Sequence, residues 1–180
     1  SNRQRLRFFN TDVDLLNLVK SDIETLFPFK ASIRDNKHKV DCVEVISQKV
    51  CSLLNELGVP KGKKSYDVIV PSIIFECNEK IQCEFLKALF SGDGFISINT
   101  NMLEYYSNSL KLVQGVALLL YRLGIKCKIK YKKTQLNGKK FDSYRLYVMR
   151  RDYLQKFSDK IGFYSKSKQE KLDKMLSKYH

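Results

Sequence analysis

Apolar and polar positions along this 180-residue chain follow two periods, and the order in which the periods alternate occurs twice. Met102 to Ser107 is an aromatic-rich segment with the two-residue alternation of a strand. Ser109 to Leu123 then carries apolar residues at helical spacing and ends at Gly124. Cys127 to Lys133 alternates as a strand, Gln135 to Lys140 contains the Asn-Gly pair of a hairpin turn, and Ser143 to Met149 is the returning strand. Asp152 to Ile161 is a helix stopped by Gly162. The earlier part of the chain has the same order. Arg5 to Phe9 reads as a strand, Asn10-Thr11-Asp12 as a helix cap, and Val13 to Leu26 as the helix. Ala31 to Arg34 and Val40 to Ile46 form a strand pair around Asp35 to His38, and Lys49 to Leu57 is a helix stopped by Gly58.

Strand-helix-strand-strand-helix, twice, predicts an internally duplicated α/β (α+β) chain. The repeats are expected at 1–70 and 81–180, joined by a linker at 71–80, with matching ends at Leu57-Gly58-Val59 and Ile161-Gly162-Phe163. Lys166 to Lys178 is a charged amphipathic helix on the outside.

Charge changes the picture from fold to partner. The 33 Lys and Arg against 19 Asp and Glu leave a net charge of +14, which predicts salt-sensitive attraction to a polyanion, with nucleic acid the first candidate. No apolar run approaches the roughly 20 residues needed to span a bilayer, so no membrane partner is expected. Five cysteines with no C-x-x-C pair, and two histidines, argue against a zinc site and for a reducing, cytoplasmic setting.

The stretch Phe85 to Ser97 reads as an apolar helix ending in Gly92-Asp93-Gly94 and running straight into a strand. Leu86 to Gly94, L-K-A-L-F-S-G-D-G, resembles the LAGLIDADG motif of homing endonucleases, including those found inside archaeal inteins. The resemblance extends over roughly Arg3 to Leu172. It implies two αββαββ halves related by a pseudo-twofold, with curved antiparallel sheets forming a saddle over duplex DNA. The first half would lack its opening helix and strand. It implies a site-specific, Mg²⁺- or Mn²⁺-dependent double-strand endonuclease, with Asp93 as the metal-binding acid and Gly92 beside it.

In such proteins two motif helices pack closely and each supplies one acid, so Ala88, Ser91 and Gly92 are the expected helix seam. A homodimer through the Asp93 helix would supply the second acid. Asn10 and Ser107 stand where the family orders water near the metal, and both read equally as helix caps. Arg150, Lys168, Lys63 and Lys64 are the basic residues that the resemblance sets near the phosphate. Lys126, Lys128 and Lys130 alternate onto one sheet face, with Lys132, Lys133, Arg145 and Tyr147 nearby, and Arg3, Arg5 and Arg7 do the same in the first repeat. These are the expected DNA contacts. Two alternatives stay open: a DNA-binding protein that has lost cleavage, and an RNA-binding maturase.

Overall fold

The computed structural model of the protein describes residues 4–35, 40–61, 66–136 and 139–178. The chain forms two compact units, Ser1–Val59 and Pro60–His180.

The first unit holds β1 (Arg5–Phe9), α1 (Val13–Leu26), β2 (Ser32–Arg34), β3 (Cys42–Ile46) and α2 (Gln48–Glu56). Asp12 caps α1 by accepting from the backbone N–H groups of Asp14 and Leu15, which satisfies two of the donors a helix start leaves open. The three strands pair antiparallel in the order β1-β3-β2. Leu16 and Ile23 of α1 pack on Val43 and Val45, while the alternate positions Arg5, Arg7 and Phe9 face outward.

The second unit holds α3 (Ser72–Glu76), α4 (Glu79–Asp93), β4 (Gly94–Ser97), β5 (Met102–Ser107), α5 (Leu110–Arg122), β6 (Lys128–Leu136), β7 (Lys139–Val148), α6 (Arg151–Lys160) and α7 (Lys166–Ser177). Its four strands form an open antiparallel sheet in the order β4-β5-β7-β6. Leu86, Phe90, Leu103, Val113, Val116, Leu119, Leu146, Leu154 and Phe157 make the core between this sheet and the helices. The stretch at 71–80, read from sequence as a linker, is largely helical, because Pro71 opens α3 and Asn78 caps α4. Its lead-in is fixed along α5. The Ser109 hydroxyl donates to the Val68 carbonyl at 2.5 Å, Val70 fills the space at Gly115, and Arg122 donates to the Phe75 carbonyl at 2.8 Å. β6 and β7 run on to Leu136 and Lys139, further than the alternation of apolar residues foretold, since a ladder needs only backbone pairing.

The two sheets match in order and in register. Asp12 and Ser109, the caps of α1 and α5, occupy equivalent positions, which sets Arg7 against Glu104 and Phe9 against Tyr106. The ladders agree: Arg7 pairs with Glu44, Glu104 pairs with Tyr147, and Glu44 and Tyr147 each stand three residues before a helix cap. Among the described residues, unit 1 holds no counterpart of α4 and β4.

Candidate functional site

Helix α4 is built to hold its last residue in place. Asn78 caps its start, and its buried face (Gln82, Cys83, Leu86, Phe90, Ser91) enters the core. The Phe90 ring sits 5.0 Å from Phe157 and 5.6 Å from Tyr105, contacts that stiffen the final turn. The helix then passes into β4 with no loop. Gly94 makes this junction: a Cβ there would lie 2.4 Å from the Phe90 carbonyl oxygen. A Cβ at Gly92 would meet nothing within 4 Å, so within the chain this glycine has room for a side chain.

The end of α4 is closed by α7 and the turn before it. Lys168 Nζ donates to the carbonyls of Ser91 at 2.7 Å, Gly92 at 3.0 Å and Phe90 at 3.4 Å, placing a cation on the negative end of the helix. The Tyr164 N–H donates to Ser91 Oγ at 2.7 Å, so Ser91 is buried inside the unit. Lys168 thus acts on the site through the backbone of α4 and through its charge.

Asp93 opens into a pocket of about 560 Å³ lined by Val68, Leu89, Tyr105, Tyr106, Ser107, Asn108 and Leu112. The pocket walls hinder its solvation on one side and raise its carboxyl above the ordinary range, while the nearby Lys168 charge pulls it down. Burial and the Asp93 charge together raise the Tyr105 phenol, which stays protonated at neutral pH and remains a donor. Sequence reasoning passed over Tyr105. The signal was present, since it shares the inward strand face with Ser107, but its equivalent in the first unit is Phe8.

The structure brings Asp93, Ser107 and Lys168 together and leaves Arg150 elsewhere. Arg150 opens α6, pairs with Asp152 at 3.0 Å and lines a separate concavity of about 480 Å³ with Lys126, Lys128, Tyr147 and Tyr153. Ser107 Oγ accepts the N–H of Ser109 at 3.1 Å, and Asn10 Oδ1 accepts the N–H of Asp12 at 2.9 Å, the same bond at equivalent places. Both side chains therefore brace the cap residue, and Ser107 also faces the pocket. Lys63, Lys64 and Arg3 lie outside the described residues. Ala88 and Gly92 lie on the accessible side of α4, with the exposed Ile81 and the half-buried Phe85 and Leu89, an apolar stripe that leads to Asp93.

A divalent cation here would find one carboxylate, with the side-chain oxygens of Ser107 and Asn108 in the same pocket. Among the described residues no group of three or more metal-binding side chains occurs. This donor set fits a hard ion held by few protein ligands and by substrate phosphate, and not a closed protein cage.

The outward sheet faces are basic. Lys128, Lys130 and Lys132 of β6 project from one face, opposite Tyr147, Arg145 and Ser143 of β7. Lys133 lies on the other face by register, and Lys126 precedes the strand. Arg145 and Lys130 approach the Tyr147 ring at 4.9 Å and 5.8 Å. Arg145 is also held by Glu104 through Nε at 2.8 Å and Nη2 at 2.6 Å, so much of its charge is matched. Arg5 and Arg7 are exposed on β1 around Glu44. Among the described residues no helix is long and apolar enough to cross a membrane.

Residues 80–162 match the family model of the LAGLIDADG-like domain. The chain is similar to part of a probable translation initiation factor IF-2 of Methanocaldococcus jannaschii, 28% identical over 96% of this chain and 15% of that protein. It is similar to part of the replicative DNA helicase DnaB of Synechocystis sp. (33%, over 63% and 13%) and of the replication factor C small subunit of Thermococcus kodakarensis (30%, over 99% and 19%). It spans less than a fifth of the length of these relatives. Among solved structures, the homing endonuclease I-DmoI aligns with a TM-score of 0.66 at 19% identity, over 88% of this chain and 80% of that one. Full-length DUF199/WhiA from Thermatoga maritima aligns at 0.63 and 15%, over 99% and 54%. Residues 80–162 are a LAGLIDADG-like domain, and the chain has the mixed α/β fold of the LAGLIDADG homing endonucleases.

Proposed function

We propose that this chain is the recognition and cleavage module of a metal-dependent, site-specific double-strand DNA endonuclease of the homing type. The observation that carries the reading is Asp93, a carboxylate fixed at a helix end in an open pocket, in a protein whose outward sheet faces are basic. I-DmoI has been solved with target DNA and Mg, and with DNA and Mn or Ca, which supports duplex DNA as partner and a divalent ion as cofactor. Bound at Asp93, such an ion would supply Lewis acidity to the scissile phosphate. The chain's own contribution is to hold the Asp93 carboxylate still, through Phe90, Gly94 and Lys168, and to present Tyr105 and Ser107 as polar groups beside it.

The relatives support a mobile origin. An initiation factor, a helicase and a clamp-loader subunit share no activity by name, yet each contains a stretch similar to this chain. A segment that recurs within such unlike proteins behaves as an insert, as an intein- or intron-borne endonuclease would. A cytoplasmic setting belongs to the same reading.

A second carboxylate completes the site through a homodimer in which the Ile81, Ala88 and Gly92 side of α4 meets its copy. The lone carboxylate favours one other reading, a DNA-binding module without cleavage on the same scaffold. Plasmid carrying a randomised duplex library, incubated with the chain and Mg²⁺ or Mn²⁺, separates the two. Double-strand cuts at a narrow set of sequences, absent for Asp93→Asn, establish the nuclease. Tight binding without cuts under either metal assigns the binding module. Sedimentation of the DNA complex gives the number of chains.

A further inference from the structure

The outward face of the first sheet has a feature that basic composition alone would not produce. Glu44, on the central strand β3, has a side chain only 1% exposed, yet it lies on the outward face. Three arginines cover it. Arg7 on β1 donates from Nε to Oε2 at 2.7 Å. Arg34 on β2 places Nε 2.6 Å from Oε1, and Arg5 places Nη1 3.9 Å from Oε2. The Arg34 contact is a close ion pair on the second carboxylate oxygen. The Arg7 hydrogen bond, with the charge and hydrogen bonding of Arg34 and the charge of Arg7, keeps the Glu44 carboxyl below its usual range in spite of burial.

Two consequences follow. Arg7 and Arg34 are each bound to Glu44 through Nε, so among the described residues both terminal amino groups of each guanidinium stay available for an incoming acceptor. The arginines themselves are exposed, at 42% and 55% of the side chain. Their stems rise from different strands and their heads converge on one carboxylate, so the two forks address neighbouring positions of a ligand. Three arginines against one glutamate also leave a local surplus of two positive charges.

We infer that Arg7 and Arg34, held by Glu44, form a paired reader of guanine bases in duplex DNA. The inference rests on the proposed DNA-binding function and gives it a chemical preference in one unit. An arginine fork matches guanine O6 and N7 in the major groove, and it also matches phosphate. The buried carboxylate decides between them. A phosphate seated on the two forks would bring its negative charge against that of Glu44 in a poorly solvated place, whereas the guanine edge is a neutral double acceptor. Glu44 is too deeply covered to accept from a base itself, so it is a positioning residue. Its charge also weakens the attraction of this patch for DNA of any sequence.

The test uses the full chain and a 30-base-pair duplex pool randomised at its centre, with bound sequences recovered and read. Wild type is expected to enrich guanine at positions that the arginines serve. Arg7→Lys with Arg34→Lys keeps the charge and loses the forks, and it should reduce that enrichment about tenfold per position while the salt dependence of binding is unchanged. Glu44→Gln should lower the same guanine enrichment and tighten binding to the unselected pool, a combination that a merely structural role would not give. Thermal melting confirms that each variant is folded, and if Glu44→Gln is not, the lysine variants decide. Guanine enrichment that survives both lysines overturns the reader and leaves DNA binding intact. Wild type that binds no duplex in a salt-dependent way overturns the proposed function itself.

Discussion

The two sheets are the same scaffold with different centres. In β1-β3-β2 and in β5-β7-β6 the strands pair in the same order and register, and a residue two before each helix cap makes the same turn bond. The outward centres differ. The first places one buried glutamate under three arginines and keeps surplus positive charge. The second places Glu104, also buried, against one arginine and the Tyr106 hydroxyl, which accounts for its charge. The surplus there moves to the edge strand, as Lys128, Lys130 and Lys132. The inward faces stay aligned and the caps keep their positions, although the residues there differ, as in Asp12 against Ser109 and Phe8 against Tyr105. The outward faces do not pack on the helices and are free to diverge, as Glu44 with its three arginines and Glu104 with Arg145 do. Among the described residues, only the second unit adds a helix that ends in an aspartate, so that carboxylate and the lysine face of β6 belong to the same unit.

The largest effect that would sharpen this contrast is at that aspartate. Asp93→Asn should lower cleavage by about three powers of ten, about 4 kcal/mol of barrier. The same change should raise the melting temperature at pH 7. The Asp93 carboxyl is raised in the folded chain, so the stability it lends is present below its unfolded value and lost as pH rises through the folded one. At pH 3 wild type and variant should melt alike, and a variant that melts lower at pH 7 would show that the carboxylate is a stabilising one.

The glycines beside Asp93 give the next largest difference. Gly94→Ala should cost about 1–3 kcal/mol in urea unfolding, because its Cβ collides with the Phe90 carbonyl. Gly92→Ala should leave the chain's stability alone and instead weaken self-association, if α4 meets its copy there. Equal losses for both would contradict the proposed seam.

Smaller and matched between the units are the caps. Asp12→Ala should cost about 1 kcal/mol. Ser109→Ala should cost more, since its hydroxyl also satisfies the buried Val68 carbonyl. Smallest is Lys168→Met, which removes the cation from the end of α4. It should lower stability by about 0.3–1 kcal/mol and move the Asp93 titration, followed by carboxyl carbon shifts, to higher pH.

Much of the scaffold was legible in the chain. The helix and strand periods, the glycine stops and the repeated order depend on local residues, and Gly58, Gly124 and Gly162 do take positive φ. Asp93 was legible because a Gly-Asp-Gly between a helix and a strand leaves few conformations. What the chain did not disclose depends on contacts distant in sequence. Lys168 reaches α4 from 76 to 78 residues away, and its capping of three carbonyls is set by how α7 docks. Glu44 lies in the strand that the alternation predicts, and only the pairing of β1 and β2 on either side of β3 gathers Arg7 and Arg34 around it. Arg150, which the family resemblance set near the phosphate, lines the concavity with Lys126 and Tyr147, a placement that depends on how β6 and α6 meet.

The most direct test of the central claim is where a paramagnetic ion sits. With the chain bound to a selected duplex and Mn²⁺ added in small amounts, amide signals should broaden around Gly92 to Ile96 and at Ser107 and Asn108, and not in the Asp93→Asn variant. Broadening that is absent there, or that persists without the carboxylate, would contradict a metal-dependent site at Asp93.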